Sequence, residues 1–274
     1  ALDYQISQAW STEMVFASMP SAFGPLEATE AQPGAMLTAA LNELDAFPAL
    51  LMRDGRPVLQ NGWHEEVAAN RKIGAGGVLQ FAGFHDDNRH VAVYGLGGDS
   101  LPVTDYFQDY FSKGFAYDGG ASSNWGARVA FRKKIEGDTE FTALYSFGSA
   151  LTPTNDPDSL LRDMLQAVPR HSFGASLSTK VPRLGTKFHA GYKWISGSAV
   201  SRLDAYGEST YQMDPYLHLM VRQPLPKWAL GRWEAIADCD NLLAQGYVST
   251  SSRDGHVVLV PAFRTFRGGL SVQF

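Results

Sequence analysis

Apolar and polar residues alternate along most of this chain, which is the pattern of β-strands that have one face in an apolar environment. At the carboxyl-terminal end, one predicted strand face is made of Phe266, Gly268, Leu270, Val272 and Phe274. The opposite face is made of Thr265, Arg267, Gly269, Ser271 and Gln273. A strand between lipid and water needs this pattern, whereas the edge strand of a soluble sheet is usually blunted by charge or proline.

The same alternation predicts antiparallel hairpins in the rest of the chain. Trp125, Ala127, Val129 and Phe131 share a face, and the apolar side returns at residues 141–147 after a tight turn at 136–138. Residues 1–19, 57–98, 172–194 and 211–238 read in the same way. The stretch Asp86-Asp87-Asn88 is interpreted as a turn that leads into a strand at Val91–Tyr94.

Short turns and long loops are predicted to alternate along the chain. The short turns are 136–138, 182–185 and 223–226, and the long loops are 20–56, 99–123, 149–170, 197–207 and 239–255. Two loops carry apolar residues at helical spacing, at 36–44 and 160–168, and predict short helices. Outer-membrane barrels have this asymmetry, with short turns on the periplasmic side and long loops outside.

Composition leaves a membrane barrel open and argues against several other classes. No uninterrupted apolar run reaches the roughly 18 residues of a transmembrane helix, but a barrel strand needs apolar side chains only at alternate positions. The net charge of −5 gives no case for nucleic-acid binding, and the single Cys239 excludes an intrachain disulfide. The chain opens without a signal-peptide pattern, so we expect a mature or truncated product, or the carboxyl-terminal part of a longer protein.

The predicted fold class is therefore all-β. Residues 1–274 are expected to form a single antiparallel transmembrane β-barrel domain of about twelve recognisable strands, and this barrel could be part of a larger one. A soluble all-β binding domain is the alternative, because a β-sandwich also alternates apolar and polar residues.

The barrel hypothesis assigns a direction to each side chain. The basic residues of the polar faces are expected to line the lumen: Arg128, Arg132, Lys187, His189, Lys193, His218, Arg232 and Arg267. Apolar residues of the opposite faces are expected to point to lipid: Trp125, Val129, Phe131, Phe141, Tyr145, Phe188, Tyr192, Trp194, Leu217, Leu219, Leu270 and Phe274.

No motif predicts catalysis, a cofactor site or a metal site. The segment His64-Glu65-Glu66-Val67-Ala68 starts like the zinc motif H-E-x-x-H, but Ala68 stands where the second histidine is required. On a strand, His64 and Glu66 would share a face. The polar run 85–90 is better explained by a hairpin turn than by metal ligation, and Gly95-Leu96-Gly97-Gly98 has no helix after it to bind a phosphate. A hydrolase built on an outer-membrane barrel is a minor alternative.

The loop 105–117 is unusually aromatic. Tyr106, Phe107, Tyr110 and Phe111 are candidates for recognition of a sugar, a hydrophobic solute or a partner protein. Packing of the loop on itself, or a belt at the membrane interface, explains the same composition.

Several stretches resemble late strands of TonB-dependent-receptor-like outer-membrane barrels, in particular the group with a carboxypeptidase-regulatory-like module before the barrel. These stretches are Gly62–Val67, Val78–Ala82, Phe84–Asp86, Ala237–Tyr247 and Arg264–Phe274. The resemblance is strongest at the end of the chain, where Phe266, Leu270, Val272 and Phe274 resemble the signal read by the barrel-assembly machinery.

The expected function follows from this resemblance and from the barrel pattern. We expect an outer-membrane barrel of TonB-dependent-receptor or porin type that passes or binds a solute at the cell surface. A structural anchor for a surface protein assembly is the alternative. The expected partners are the outer-membrane bilayer, the barrel-assembly machinery and other surface proteins, with no nucleic acid and no cofactor.

Overall fold

A computed structural model describes residues 1–18, 49–97, 104–109, 114–135, 137–153, 165–211, 213, 216–226, 231–251 and 257–273. These residues form β-sheets, antiparallel except for the pair β7–β16 defined below, and one short helix, so the all-β prediction is confirmed. No helix in this part of the chain is long and apolar enough to cross a membrane.

The strands and the helix have the following bounds. In chain order they are β1 Leu2–Gln5, β2 Trp10–Ser18, β3 Leu50–Arg53, β4 Arg56–Leu59, β5 Asn61–Ile73, β6 Gly77–Arg89, β7 Ala92–Leu96, β8 Tyr106–Asp109, β9 Gly114–Asp118, β10 Ser122–Ile135, β11 Thr139–Pro153, β12 Leu165–Lys180, β13 Lys187–Ile195, α1 Ala205–Thr210, β14 His218–Pro224, β15 Arg232–Asp240, β16 Tyr247–Ser251, β17 Val257–Pro261 and β18 Thr265–Gln273.

The main sheet has eleven strands in the order β1-β2-β5-β6-β10-β11-β12-β13-β14-β15-β18. Every neighbouring pair in this sheet is antiparallel. Strands β1 and β18 lie at its two edges, and within the described ranges no hydrogen-bonded ladder joins them. The ladder that would close a barrel is therefore not observed among these residues.

Short and long connections alternate along the main sheet, as predicted. Short turns join β1 to β2, β5 to β6, β10 to β11, β12 to β13 and β14 to β15. Long connections join β2 to β5, β6 to β10, β11 to β12, β13 to β14 and β15 to β18. All long connections therefore leave from one end of the sheet, called the long-loop end here, and all short turns lie at the short-turn end.

The two faces of the main sheet have the reverse of the usual burial pattern. On β10, Trp125 is 74% exposed, whereas Arg128 is 1% exposed. On β5, Trp63 and Val67 are exposed, whereas His64 and Glu66 are buried. One face is thus apolar and open, and the other is polar and is covered around these residues; they are called the apolar face and the polar face below.

A second sheet lies at the long-loop end, in the order β17-β16-β7-β9-β8. Its core is made of Val93, Phe115 and Tyr117, with Tyr106, Leu165 and Val200 packed against them. A neighbouring buried cluster of Leu51, Ala92 and Ala116 attaches the β3–β4 hairpin. The long connections therefore build a conventional apolar core of their own.

Several predicted boundaries are wrong. Asp86-Asp87-Asn88 is not a turn but the continuation of β6, because these residues pair with β5 on one side and β10 on the other. Residues 165–168, predicted as the end of a helix, belong to β12, where pairing with β11 overrides their helical spacing. The loop 99–123 contains β8, β9 and the start of β10.

Two further findings concern strand number and the short helices. The described residues contain eighteen strands: eleven form the main sheet, close to the predicted count of about twelve, and the other seven are short strands contributed by the connections. The predicted helix at 36–44 and the first part of the one at 160–168 lie outside the described residues.

Candidate functional site

The connection between β13 and β14 lies on the polar face of the main sheet. We call the described residues of this connection, 196–211, 213, 216 and 217, the inner segment. It contains helix α1, which begins after Asp204, and the Asp204 side chain accepts a hydrogen bond from the Gly207 amide at 2.8 Å. Aspartate is a favoured residue at this capping position because it satisfies an amide that has no partner within the helix.

Arg128 connects the inner segment to the sheet. Its Nη1 donates to both carboxylate oxygens of Asp204, at 2.9 and 3.1 Å, and its Nη2 donates to Glu66. Gln80 accepts from the Arg128 Nε at 3.3 Å, and Ser146 donates to Asp204 at 2.8 Å. Because these side chains are buried, each charge depends on its partners instead of on water.

His64 extends this cluster along the sheet. Its Nδ1 lies 2.6 Å from an oxygen of Asp86, and its Nε2 lies 3.2 Å from an oxygen of Glu66. An imidazolium satisfies both carboxylates, because it donates from both ring nitrogens. The Tyr206 ring of α1 stacks on the His64 ring with centroids 4.2 Å apart, so the helix also packs on the polar face.

The end of α1 is tied to other strands of the sheet. Glu208 pairs with Lys193 of β13 at 2.6 Å, and the Tyr211 hydroxyl donates to Gln80 at 2.9 Å. Arg132 donates to the Thr210 carbonyl at 3.2 Å. Burial raises the pKa of the Tyr211 phenol, so it stays protonated and acts as a donor.

Two other tyrosines of the inner segment have raised pKa values. For Tyr206, burial raises the pKa, and the negative charge of Glu66 raises it further. For Tyr216, burial and the charge of Glu208 act in the same direction. All three phenols are therefore neutral hydrogen-bonding groups near neutral pH.

The first part of the inner segment is bound through its backbone. The Val200 amide donates to the Leu151 carbonyl at 2.8 Å, and the Leu151 amide donates to the Ser201 hydroxyl at 2.7 Å. Asn124 donates to the Leu203 carbonyl at 2.9 Å. The inner segment is thus held at both ends and at its centre by β5, β6, β10, β11 and β13.

A second polar cluster lies between β14, β15 and β18. His218 Nε2 lies 2.8 Å from Asp238 Oδ1 and 3.6 Å from Asp240 Oδ1. The three side chains have the types and spacing of a divalent-cation site. However, Arg267 pairs with the Oδ2 atoms of both aspartates, at 2.8 Å from Asp238, so a protein cation already balances their charge.

The basic residues predicted to face one lumen do share the polar face, but in very different surroundings. Arg128 is buried in the central cluster, Lys193 pairs with Glu208, and His218 and Arg267 belong to the second cluster. His189 accepts from or donates to Ser178 at 2.7 Å, and its ring lies 5.5 Å from that of His218. Arg132, Lys187 and Arg232 lie towards the short-turn end, and the latter two are exposed.

The predicted assembly and recognition residues are placed as follows. Phe266 and Leu270 are exposed on β18, at 69% and 68%, while Val272 is half-buried and Phe274 lies outside the described residues. Tyr106 packs edge-on against Phe115 at 5.6 Å, and Phe107 is 42% exposed. Tyr110 and Phe111 fall outside the described ranges. The described part of the aromatic loop therefore packs largely on itself.

Sequence reasoning missed half of the central cluster. The alternation predicts that His64 and Glu66 share a face, and this is confirmed, with His64 Nε2 3.2 Å from a Glu66 oxygen. The sequence predicts a turn at Asp86, and Asp204 and Tyr206 lie in a connection with no periodic pattern. No local signal in residues 196–217 indicates that they return to the sheet.

No family model matches the chain, and no curated protein matches it significantly.

Proposed function

We propose that this chain forms the wall of a transmembrane β-barrel in an outer membrane, of TonB-dependent-receptor or porin type, and that it binds or passes a solute on its polar side. The proposal depends mainly on the burial pattern of β10, where the apolar Trp125 is 74% exposed and the charged Arg128 is 1% exposed. In water an exposed apolar sheet face is a liability, whereas in a bilayer it is the required surface.

Strand length supports the same proposal. Strands β5, β6, β10, β11 and β12 have 13 to 16 residues. A tilted strand of about 9–11 residues crosses a bilayer, so these strands are long enough to cross and extend beyond it. The common direction of the long connections fits the two unequal surfaces of an outer membrane.

Aromatic residues support a position at a membrane interface. Phe16 and Trp63 stack at 5.2 Å on the apolar face near the long-loop end, and Trp125 stacks on His85 at 4.2 Å in the neighbouring strands. Tyr145 and Trp194 are also exposed on later strands. Aromatic girdles of this kind flank the apolar band of outer-membrane barrels.

The proposal is tested by site-directed spin labels in the protein reconstituted into vesicles. Labels at Phe188, Ala190 and Tyr192 should be relaxed by a lipid-soluble agent, and labels at Lys187, His189 and Gly191 by a water-soluble agent. If both series respond alike to both agents, β13 belongs to a soluble fold and the proposal fails.

A structural anchor is the second candidate, and the inner segment favours it. The inner segment covers the part of the polar face that contains Arg128, His64 and Lys193, and this cover would obstruct a lumen. Planar-bilayer recording separates the two candidates, since an anchor inserts without conductance. Native purification followed by mass spectrometry should then recover partner proteins; a lone monomer that conducts would exclude the anchor.

A further inference from the structure

A cavity of about 270 Å³ opens at the long-loop end of the main sheet. It lies between the end of β13, the inner segment and the connection that joins β15 to β16, and we call it the aromatic cavity. Its walls include Trp194, Tyr216, Gln245, Gly246 and Tyr247. None of the described residues that line it has a charged side chain. The aromatic cavity therefore differs in character from the two charged clusters on the polar face.

Three of the lining side chains are aromatic. Trp194 and Tyr247 are exposed, so a ligand in solution can reach their rings, whereas Tyr216 is half-buried. Each ring combines a broad apolar surface with one polar group, which is the chemistry of many ligand sites. A membrane-interface girdle explains an exposed Trp194, but it does not explain a cavity that this residue shares with two tyrosines from other parts of the chain.

The wall that contains Gln245 is held in place by hydrogen bonds of the loop itself. The buried Asn241 side chain donates to the Gln245 carbonyl at 2.9 Å and accepts from the Gln245 amide at 2.8 Å. The Ala262 amide donates to the Gly246 carbonyl at 3.0 Å. A ligand that binds here does not have to order this loop, which lowers the entropic cost of binding.

Tyr216 and Gly246 bring two connections together at the cavity. Gly246 has a φ of +80°, which favours glycine, and a Cβ at this position would overlap the Tyr216 hydroxyl. Glycine therefore lets the phenol pack against the loop backbone. At the end of β13, the Ser196 amide donates to the His171 carbonyl at 2.8 Å and fixes the chain just after Trp194. The fold thus sets both walls before a ligand arrives.

The polar groups of the aromatic cavity are neutral. The Gln245 amide oxygen is buried and has no hydrogen-bond partner within the described ranges, so the wall contains an acceptor that a ligand hydroxyl would satisfy. Tyr216 adds a phenol that can donate or accept. A charged ligand would lose hydration here without gaining an opposite charge. The chemistry fits a neutral ligand that has an apolar face and hydroxyls at its rim.

We propose that the aromatic cavity binds a neutral sugar ring. The C–H face of the sugar lies against Trp194 or Tyr247, and its hydroxyls hydrogen-bond to Gln245 and Tyr216. The cavity volume lies just below the range of about 300–1,000 Å³ for ligand pockets, which suits a single sugar unit. The inference rests on the proposed function only for the position of the site outside the membrane, where the long loops of a barrel lie.

Saturation-transfer NMR on the purified chain tests the inference without requiring conductance. The protein is kept in a polyoxyethylene detergent, because alkyl-glycoside detergents carry sugar headgroups that would compete. The probes are the methyl glycosides of glucose, galactose, mannose and N-acetylglucosamine, with methyl glucuronide as a charged comparison and phenol as an apolar one. At least one neutral glycoside should receive saturation at its ring C–H protons, and methyl glucuronide should bind no more tightly.

Variants of the wall locate the site. Trp194→Ala should raise the Kd of the bound glycoside by about tenfold, and Trp194→Phe, which keeps an aromatic ring, should restore most of the binding. Gln245→Leu should raise the Kd by about threefold or more, because a hydrogen bond to the sugar is lost. Trp125→Ala is the matched control: it removes an exposed tryptophan that does not line the cavity, so binding should be unchanged.

Three results would overturn the inference. They are no binding of any neutral glycoside by the wild type, equal weakening by Trp194→Ala and Trp125→Ala, and tighter binding of phenol or methyl glucuronide than of every neutral glycoside. If the spin labels report a lipid-facing β13 but no glycoside binds, only the sugar site is wrong. If a glycoside binds through Trp194 but the labels show no contact with lipid, the sugar site belongs to a soluble protein and the barrel is wrong.

Discussion

Replacing Arg128 by Met is expected to destabilise the fold severely. The Arg128 side chain is 1% exposed and pairs with Glu66 and Asp204, which are 1% and 0% exposed. The substitution keeps much of the side-chain volume but leaves the buried Asp204 carboxylate without its cation, and leaves Glu66 with only His64, which it shares with Asp86. Breaking a buried ion pair in this way costs about 3–5 kcal/mol.

The control variant is Arg132→Met, at a position on the same strand and the same face as Arg128. Arg132 pairs with Glu140 at 3.3 Å, but their side chains are 41% and 37% exposed. Water replaces a lost partner at such a site, and the hydrogen bond from Arg132 to the Thr210 carbonyl is exposed as well, so Arg132→Met should cost only about 0–1 kcal/mol. The two variants therefore compare one chemical change at a buried position and at a hydrated one.

The free energy of unfolding is measured by urea titration of the reconstituted protein, followed by tryptophan fluorescence. A double-mutant cycle with Asp204→Leu isolates the contact: the double variant should be less destabilised than the sum of the two single variants. If Arg128→Met costs no more than Arg132→Met, water reaches the cluster and the inner segment does not seal it. A strictly additive cycle would refute the direct coupling.

Two further predictions concern the sheet itself. Gly126→Ala should destabilise the protein by about 1–3 kcal/mol, because a Cβ there would meet the Phe84 ring at 2.2 Å. Gly83→Ala is the control, because a Cβ at that position meets nothing within 4 Å. Equal free energies of unfolding for the two variants would contradict the reasoning. Val129→Arg on the apolar face should reduce insertion into vesicles, since a charge near the bilayer midplane costs about 2–4 kcal/mol. Asp138→Arg, which lies in a short turn, should insert normally in the same assay.

The sequence by itself determined the fold class and the character of each sheet face. The alternation of Trp125, Val129 and their polar neighbours predicts a strand with one apolar face, and that strand is β10. The contact between His64 and Glu66 also follows from their spacing, because residues two apart on a strand share a face. Turn chemistry likewise predicts the short connections, which depend on a few adjacent residues.

Only the tertiary structure decided what the polar face contacts. The run Asp86-Asp87-Asn88 has the composition of a turn, but pairing with two neighbouring strands keeps it extended. This pairing places Asp86 against His64. Residues 165–168 have helical spacing, but hydrogen bonding to β11 outweighs that weak preference. Asp204 is brought to Arg128 from a sequence separation of 76, by an inner segment without periodicity. Contacts of this kind depend on where strands β10 and β13 lie in the sheet, and no short-range pattern in the sequence specifies them.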